Sequence, residues 1–139
     1  MTEINIDKIN GFFETAFAHI EDEIDIPKLT RALPGEVWVE MSAGPRNIRP
    51  GGFINGPTQM ALADHAAYVA IFTLKGVTPM ALTSNLNIDF LRPAQGKTLT
   101  AHCKTLKMGR KLGVFTVEMY TTDPAKPVSH ATVTYVLPE

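Results

Sequence analysis

NGPTQMALADHAAYVAIFTL, spanning Asn55–Leu74, is the stretch on which the fold turns. After its first few residues it is apolar almost throughout, interrupted by Asp64 and His65. It reads as one very apolar helix that ends at Gly76. A helix apolar on nearly every side must be covered on nearly every side. One sheet covers one face, and a second copy of the chain is the simplest cover for the rest.

Asp64 is the anomaly in this helix. Its helical neighbours at three and four residues are Met60, Ala61, Ala67 and Tyr68, none of them charged. His65 points about 100° away and does not extend a polar stripe. Aspartate is a poor residue for a helix interior, because its side chain competes for backbone groups. It is almost never fully buried unless paired. Two readings remain: a salt bridge to a distant arginine, or a functional carboxylate. Burial beside a pocket favours the second.

The start of the helix adds to this. Gly56 followed by Pro57 reads as N-cap and first helical residue. The N–H groups near Gly56, Thr58 and Gln59 lack partners within the helix and sit at the positive end of its dipole. Such a place can polarise a carbonyl or hold an oxyanion. Gly56 and Asp64 are separated by about 12 Å along the axis, at roughly 1.5 Å per residue. They cannot meet on one carbonyl within one subunit. In a dimer with antiparallel central helices, Asp64 of one chain approaches Gly56 of the other.

Working outward, the region from Ile4 to Glu21 carries Ile6, Ile9, Phe13, Phe17 and Ile20 at spacings of three and four, an amphipathic helix. IDIPKLTRALPG follows as a connector punctuated by Pro27 and Pro34. GEVWVEMS is a strand with Val37, Val39 and Met41 on one face. Ala43–Gly52 is a loop rich in Gly and Pro. Beyond the central helix the period changes to two. Leu86, Ile88 and Phe90 alternate with polar residues in a half-buried strand, and TLTAHCKTLKM is a weaker strand pattern. Met108–Lys111 is a turn. Phe115, Val117 and Met119 share one face of the next strand, and Ala131, Val133, Tyr135 and Leu137 one face of the last. Short connections imply an antiparallel sheet. The whole is an α+β fold, one domain over residues 1–139.

Bulk properties narrow the function. The 139-residue chain is 45% hydrophobic with a net charge of -1, and its 13 basic residues form no block or stripe, which argues against a nucleic-acid partner. The first residues show no signal peptide, and no uncharged apolar run is long enough to span a membrane. The single Cys103 excludes an internal disulfide and a cysteine zinc cluster, and a reducing, cytoplasmic setting fits best. Cys103 itself reads as a packed thiol. His19, His65, His102 and His130 show no metal-binding spacing.

Two segments resemble one family. GGFINGPTQMALADHAAYVAI is similar to the His-Gly-Gly opening followed by Leu-Ala-Asp of hotdog-fold acyl-CoA thioesterases of the phenylacetate-pathway, PaaI-like type. LTSNLNIDFLRPAQGKTLTAHCKTLKMGRKLGVFTVEMY resembles the family's strand ending in Phe-Leu-Arg-Pro and its later Gly-Arg turn. The resemblance covers about Ile48 to Leu137. It implies a hotdog fold: a long central helix wrapped by a curved antiparallel sheet of about five strands, here with an extra N-terminal helix. It implies a homodimer, often paired into a homotetramer, with active sites between subunits.

The resemblance also implies residue roles. Asp64 matches the catalytic carboxylate, which activates water or attacks the thioester directly. Gly56 matches the glycine whose N–H polarises the thioester carbonyl. Thr83 falls where relatives carry a Ser or Thr that orients water. Asn55 occupies the position of the usual His and orients the helix start, while Pro57 replaces a second Gly and offers no N–H. Arg49 stands where many relatives place an Asn or Gln that contacts the thioester. Arg92, Arg110 and Lys111, with Lys107, are candidates for the phosphates of coenzyme A, and Met60, Tyr68 and Phe72 for the acyl pocket. No metal or cofactor is implied beyond coenzyme A as part of the substrate.

Two functions fit these residues. One is hydrolysis of an acyl-CoA or similar thioester to free acid and thiol. The other is a non-catalytic hotdog module that binds CoA esters or related small ligands. A hydratase of the same fold would use a His with an acidic residue in a different loop, which this sequence lacks.

Overall fold

The computed structural model describes residues 4–16 and 26–138. Its longest helix, α2 (Gly56–Lys75), starts where Asn55 caps it: the Asn55 side chain accepts from the Thr58 N–H at 2.9 Å. The N-cap is therefore Asn55, not Gly56, which becomes the first helical residue. An Asn carbonyl can satisfy an orphan N–H and glycine cannot. Pro57 fits the first turn, where its missing N–H costs nothing. Gly76, at φ 80°, closes the helix and donates its N–H to Phe72 O.

A six-stranded antiparallel sheet wraps α2 in the order β1-β2-β6-β7-β8-β5. The strands are β1 (Lys28–Leu33), β2 (Glu36–Ser42), β5 (Leu82–Phe90), β6 (Thr98–Met108), β7 (Leu112–Tyr120) and β8 (Ser129–Val136). A separate ribbon pairs β3 (Ile48–Arg49) with β4 (Phe53–Ile54) inside the predicted loop. This is the hotdog architecture. The sheet has six strands rather than about five because the expected connector Ile24–Gly35 contains β1.

The alternation of β1 is poor. Pairing with β2, not its own pattern, makes it a strand. Asn10 also holds it from outside, donating to Leu29 O at 3.1 Å and accepting from Leu29 N at 2.9 Å. The β1–β2 turn needs Gly35, at φ 74°. Its N–H donates to Thr73 Oγ1 and its carbonyl accepts from Thr105, tying the turn to α2 and β6.

The core lies between sheet and helix. Val37 and Val39, then Phe115, Val117 and Met119, then Ala131 and Val133 are fully buried along the inner face. They meet Leu62, Ala63, Ala66, Ala67, Ala70 and Ile71 of α2. The alanines let helix and sheet approach closely. Cys103 is buried in this layer, and burial pushes its thiol well above the usual range, as an inert core residue requires.

The outer side of α2 is covered in part by the same chain. Helix α1 (Ile6–Ala16) buries Ile9 and Phe13, as its periodicity predicts; Phe17 and Ile20 lie outside the described residues. The Phe13 ring stacks on Phe72 at 5.5 Å and tilts against His65 at 4.5 Å. So α1 of the same chain covers part of the C-terminal half of the helix. Pro57, Met60 and Ala61 stay exposed and Asp64 half-exposed on the N-terminal half. Among the described residues no helix is long and apolar enough to cross a membrane.

Candidate active site

Asp64 sits at the end of the uncovered stripe of α2. Its carboxylate oxygen Oδ1 accepts two hydroxyl hydrogen bonds, from Thr83 Oγ1 at 2.6 Å and from Tyr135 Oη at 2.8 Å. Tyr135 Oη also lies 3.1 Å from the Asp64 carbonyl. Thr83 and Tyr135 are direct cross-strand partners on β5 and β8. A β-bulge follows Thr83, before Asn85, and local bulges re-aim neighbouring side chains. Among the described residues Asp64 has no basic partner. The salt-bridge reading is thus without an arginine to support it, and hydroxyl donors hold the carboxylate instead.

Tyr135 is the neighbour of Asp64 that the sequence does not single out. One signal was present: it is the polar member of the inner stripe Ala131, Val133, Tyr135, Leu137, and a buried tyrosine hydroxyl usually finds a partner. The residue is 4% exposed. Burial is the main cause that pushes its phenol far above the ordinary range, with the Asp64 charge adding to it, so the hydroxyl stays protonated and able to donate.

Next to Asp64, His65 turns inward under Phe13. Desolvation pulls its pKa down from 6.5 to about 4, opposed by the Asp64 charge. Its Nε2 has no hydrogen-bond partner among the described residues. It is a neutral packing residue.

The helix start is a second cluster. Asn55 caps through its carbonyl and donates Nδ2–H to Arg46 O at 3.1 Å, so both ends of the side chain are engaged. Its own N–H donates to Asn47 O, and Asn47 Nδ2 donates to Thr58 Oγ1. Within this frame the Gly56 N–H has no partner among the described residues. The Phe90 ring lies over Gly56, and a Cβ there would come within 3.1 Å of it. Phe90 is 52% exposed, unlike the half-buried residue its alternation predicted, because β5 is an edge strand.

The other candidates scatter. Met60 is exposed on the stripe between Gly56 and Asp64. Tyr68 is packed among Phe13, Phe72 and Tyr135, and its hydroxyl donates to Pro79 O at 2.7 Å. Arg49 is exposed on the β3–β4 ribbon. Arg92 donates to Pro127 O at 2.8 Å, which ties it to the strand end. Arg110 and Lys111 are exposed in the β6–β7 turn, at the same end of the sheet as Thr83 and Tyr135. Among the described residues no three His, Cys, Asp or Glu side chains gather as a metal site.

Chemically, the arrangement offers a fixed carboxylate at one end of a stripe and an unpaired amide at the positive end of a long helix. The model of the Thioesterase superfamily matches residues 51–128, which include Gly56, Asp64 and Thr83. The chain belongs to the Thioesterase superfamily. A candidate esterase of Pasteurella multocida is 30% identical over 87 residues, 61% of this chain and 63% of that protein; the match thus spans less than two thirds of the relative. The crystal structure of a candidate thioesterase from a Silicibacter species superposes with a TM-score of 0.85 at 28% identity, covering 100% of this chain and 95% of that one. A mutant of the phenylacetic acid degradation protein PaaI from Thermus thermophilus shares the fold, with a TM-score of 0.68 and 23% identity over 81% of this chain and 93% of that one.

Proposed function

We propose that this Thioesterase superfamily member hydrolyses an acyl-CoA or similar thioester to the free acid and thiol. The observation that carries the proposal is Asp64, a carboxylate held by two hydroxyls with no cation beside it among the described residues. Such a group is placed to take a proton from water. The resulting hydroxide attacks the thioester carbonyl carbon. The Gly56 N–H of the partner subunit stabilises the oxyanion, the C–S bond breaks, and the proton held by Asp64 passes to the leaving thiolate.

The reaction requires two chains, because Gly56 and Asp64 lie on one straight helix about 12 Å apart along its axis. The open edge of β5 supports a homodimer, since an unpaired strand edge can continue its ladder in a second copy. A dimer of dimers follows from the family resemblance. Arg110 and Lys111 stand beyond the Thr83–Tyr135 end of the sheet, where cations can meet the phosphates of coenzyme A.

A panel of acyl-CoA thioesters, assayed for free-thiol release, tests the reading. Turnover that depends on Asp64 is expected. Saturable binding of CoA esters without thiol release would establish the non-catalytic binding module in its place.

A further inference from the structure

The two oxygens of Asp64 are not equivalent. Oδ1 accepts from both Thr83 and Tyr135, while Oδ2 has no hydrogen-bond partner among the described residues. Tyr135 also spans the Asp64 side chain and the Asp64 carbonyl, so it fixes the carboxylate relative to its own backbone. We infer that Tyr135 is a positioning residue: with Thr83 it holds Asp64 by Oδ1, so that Oδ2 is the oxygen that takes the proton from water. This rests on the proposed hydrolase reading and adds to it a residue beyond the family match, which ends at Val128.

The geometry favours this role over simple satisfaction of a buried hydroxyl. A phenol that needed only an acceptor could use the Asp64 carbonyl alone. It lies closer to Oδ1, 2.8 Å against 3.1 Å. A charge-assisted bond to a carboxylate is the stronger of the two. Moreover, the donors enter as a cross-strand pair on adjacent strands, so sheet register delivers both to one oxygen. Without them the carboxylate could rotate about its Cβ–Cγ bond and exchange its two oxygens. With them, one oxygen is engaged and the other is presented at a fixed angle.

The test is Tyr135→Phe, which keeps the ring that stacks on Tyr68 at 5.9 Å and meets Phe115 edge-on at 6.4 Å. The expected result is a kcat lowered by roughly 10–100-fold, the factor carried by one hydrogen bond to a charged group, with KM little changed. In an Asp64→Asn background the same substitution should cost nothing further in kcat, because its effect passes through the carboxylate. Wild-type kcat in Tyr135→Phe overturns the inference, as does an equal loss in both backgrounds. If Tyr135→Phe fails to fold, Thr83→Val reads the same oxygen from the exposed edge strand. A kcat-only loss that vanishes in the Asp64→Asn background supports the two-donor clamp, and an unchanged kcat, or an equal loss in both backgrounds, overturns it. Full turnover in Asp64→Asn alone would remove Asp64 from the mechanism of hydrolysis and this inference with it. A dead Asp64→Asn beside a wild-type Tyr135→Phe overturns only the inference.

Discussion

The Thr83 hydroxyl donates to Asp64 Oδ1 over 2.6 Å, joining an edge strand to the middle of the central helix. The bond engages one carboxylate oxygen and brings no cation to it. This arrangement differs from a structural ion pair, and it sets the outcome of the most direct substitution.

Asp64→Asn keeps an oxygen that can accept from Thr83 and Tyr135 and removes the base. Turnover should fall by roughly 10²–10⁴-fold, the usual loss of a positioned general base. The melting temperature should hold or rise, since a neutral amide is cheaper to bury than a carboxylate. Melting and thioester hydrolysis measured on the same preparation check this. A collapsed melt would return Asp64 to a structural role.

Asn55 caps α2 at Thr58 N and also bonds Arg46 O. Asn55→Ala should cost about 1 kcal/mol for the cap. Asn55→Ser should recover most of it, because a serine oxygen can also accept from Thr58 N. Urea denaturation of the three proteins gives the comparison. Equal stability of the Ala and Ser variants would show that the cap does not hold the helix start.

A site shared between subunits predicts complementation. Gly56→Pro removes the amide hydrogen, and the Asn55 backbone, at φ -73° and ψ 161°, already suits a residue before proline. The ring must displace Phe90, which is exposed enough to move. Gly56→Pro and Asp64→Asn chains should each be inactive alone. Mixed at random, they should regain about a quarter of wild-type activity, since half the dimers are mixed and each holds one intact site. No recovery after demonstrated subunit exchange would count against a site shared between subunits.

His65 makes stability depend on pH. Burial holds it neutral, with a folded pKa of about 4 against 6.5 when exposed. Between these values the unfolded chain binds a proton that the folded chain refuses, so stability falls as pH drops from 6.5 towards 4. Its contribution is at most about 3–4 kcal/mol, at roughly 1.36 kcal/mol per pH unit between 4 and 6.5. In His65→Asn the urea midpoint should lose less between pH 7 and pH 4.5 than in the wild type. Identical slopes would remove His65 from the acid response.

Part of this molecule is written locally. The inner faces of β2, β7 and β8 follow from alternation, because successive strand residues point to opposite sides whatever surrounds them. Asp64 stands out in the sequence for the same kind of reason: its helical neighbours are fixed by the helix itself. The helix start is legible as a place, although the capping residue is displaced by one position because the choice lies in a side-chain hydrogen bond.

What the sequence could not yield depends on partners far along the chain. Lys28–Leu33 becomes a strand only through β2 and the grip of Asn10. Phe13 reaches His65 and Phe72 only after α1 folds back over α2, which leaves Met60 and Asp64 as the uncovered part. Tyr135 meets Asp64 across 71 residues, through the register of β8 with β5 and the packing of both against the helix. Periodicity assigns a residue to a face. Only the assembled sheet decides which atom on that face finds its hydrogen-bond partner.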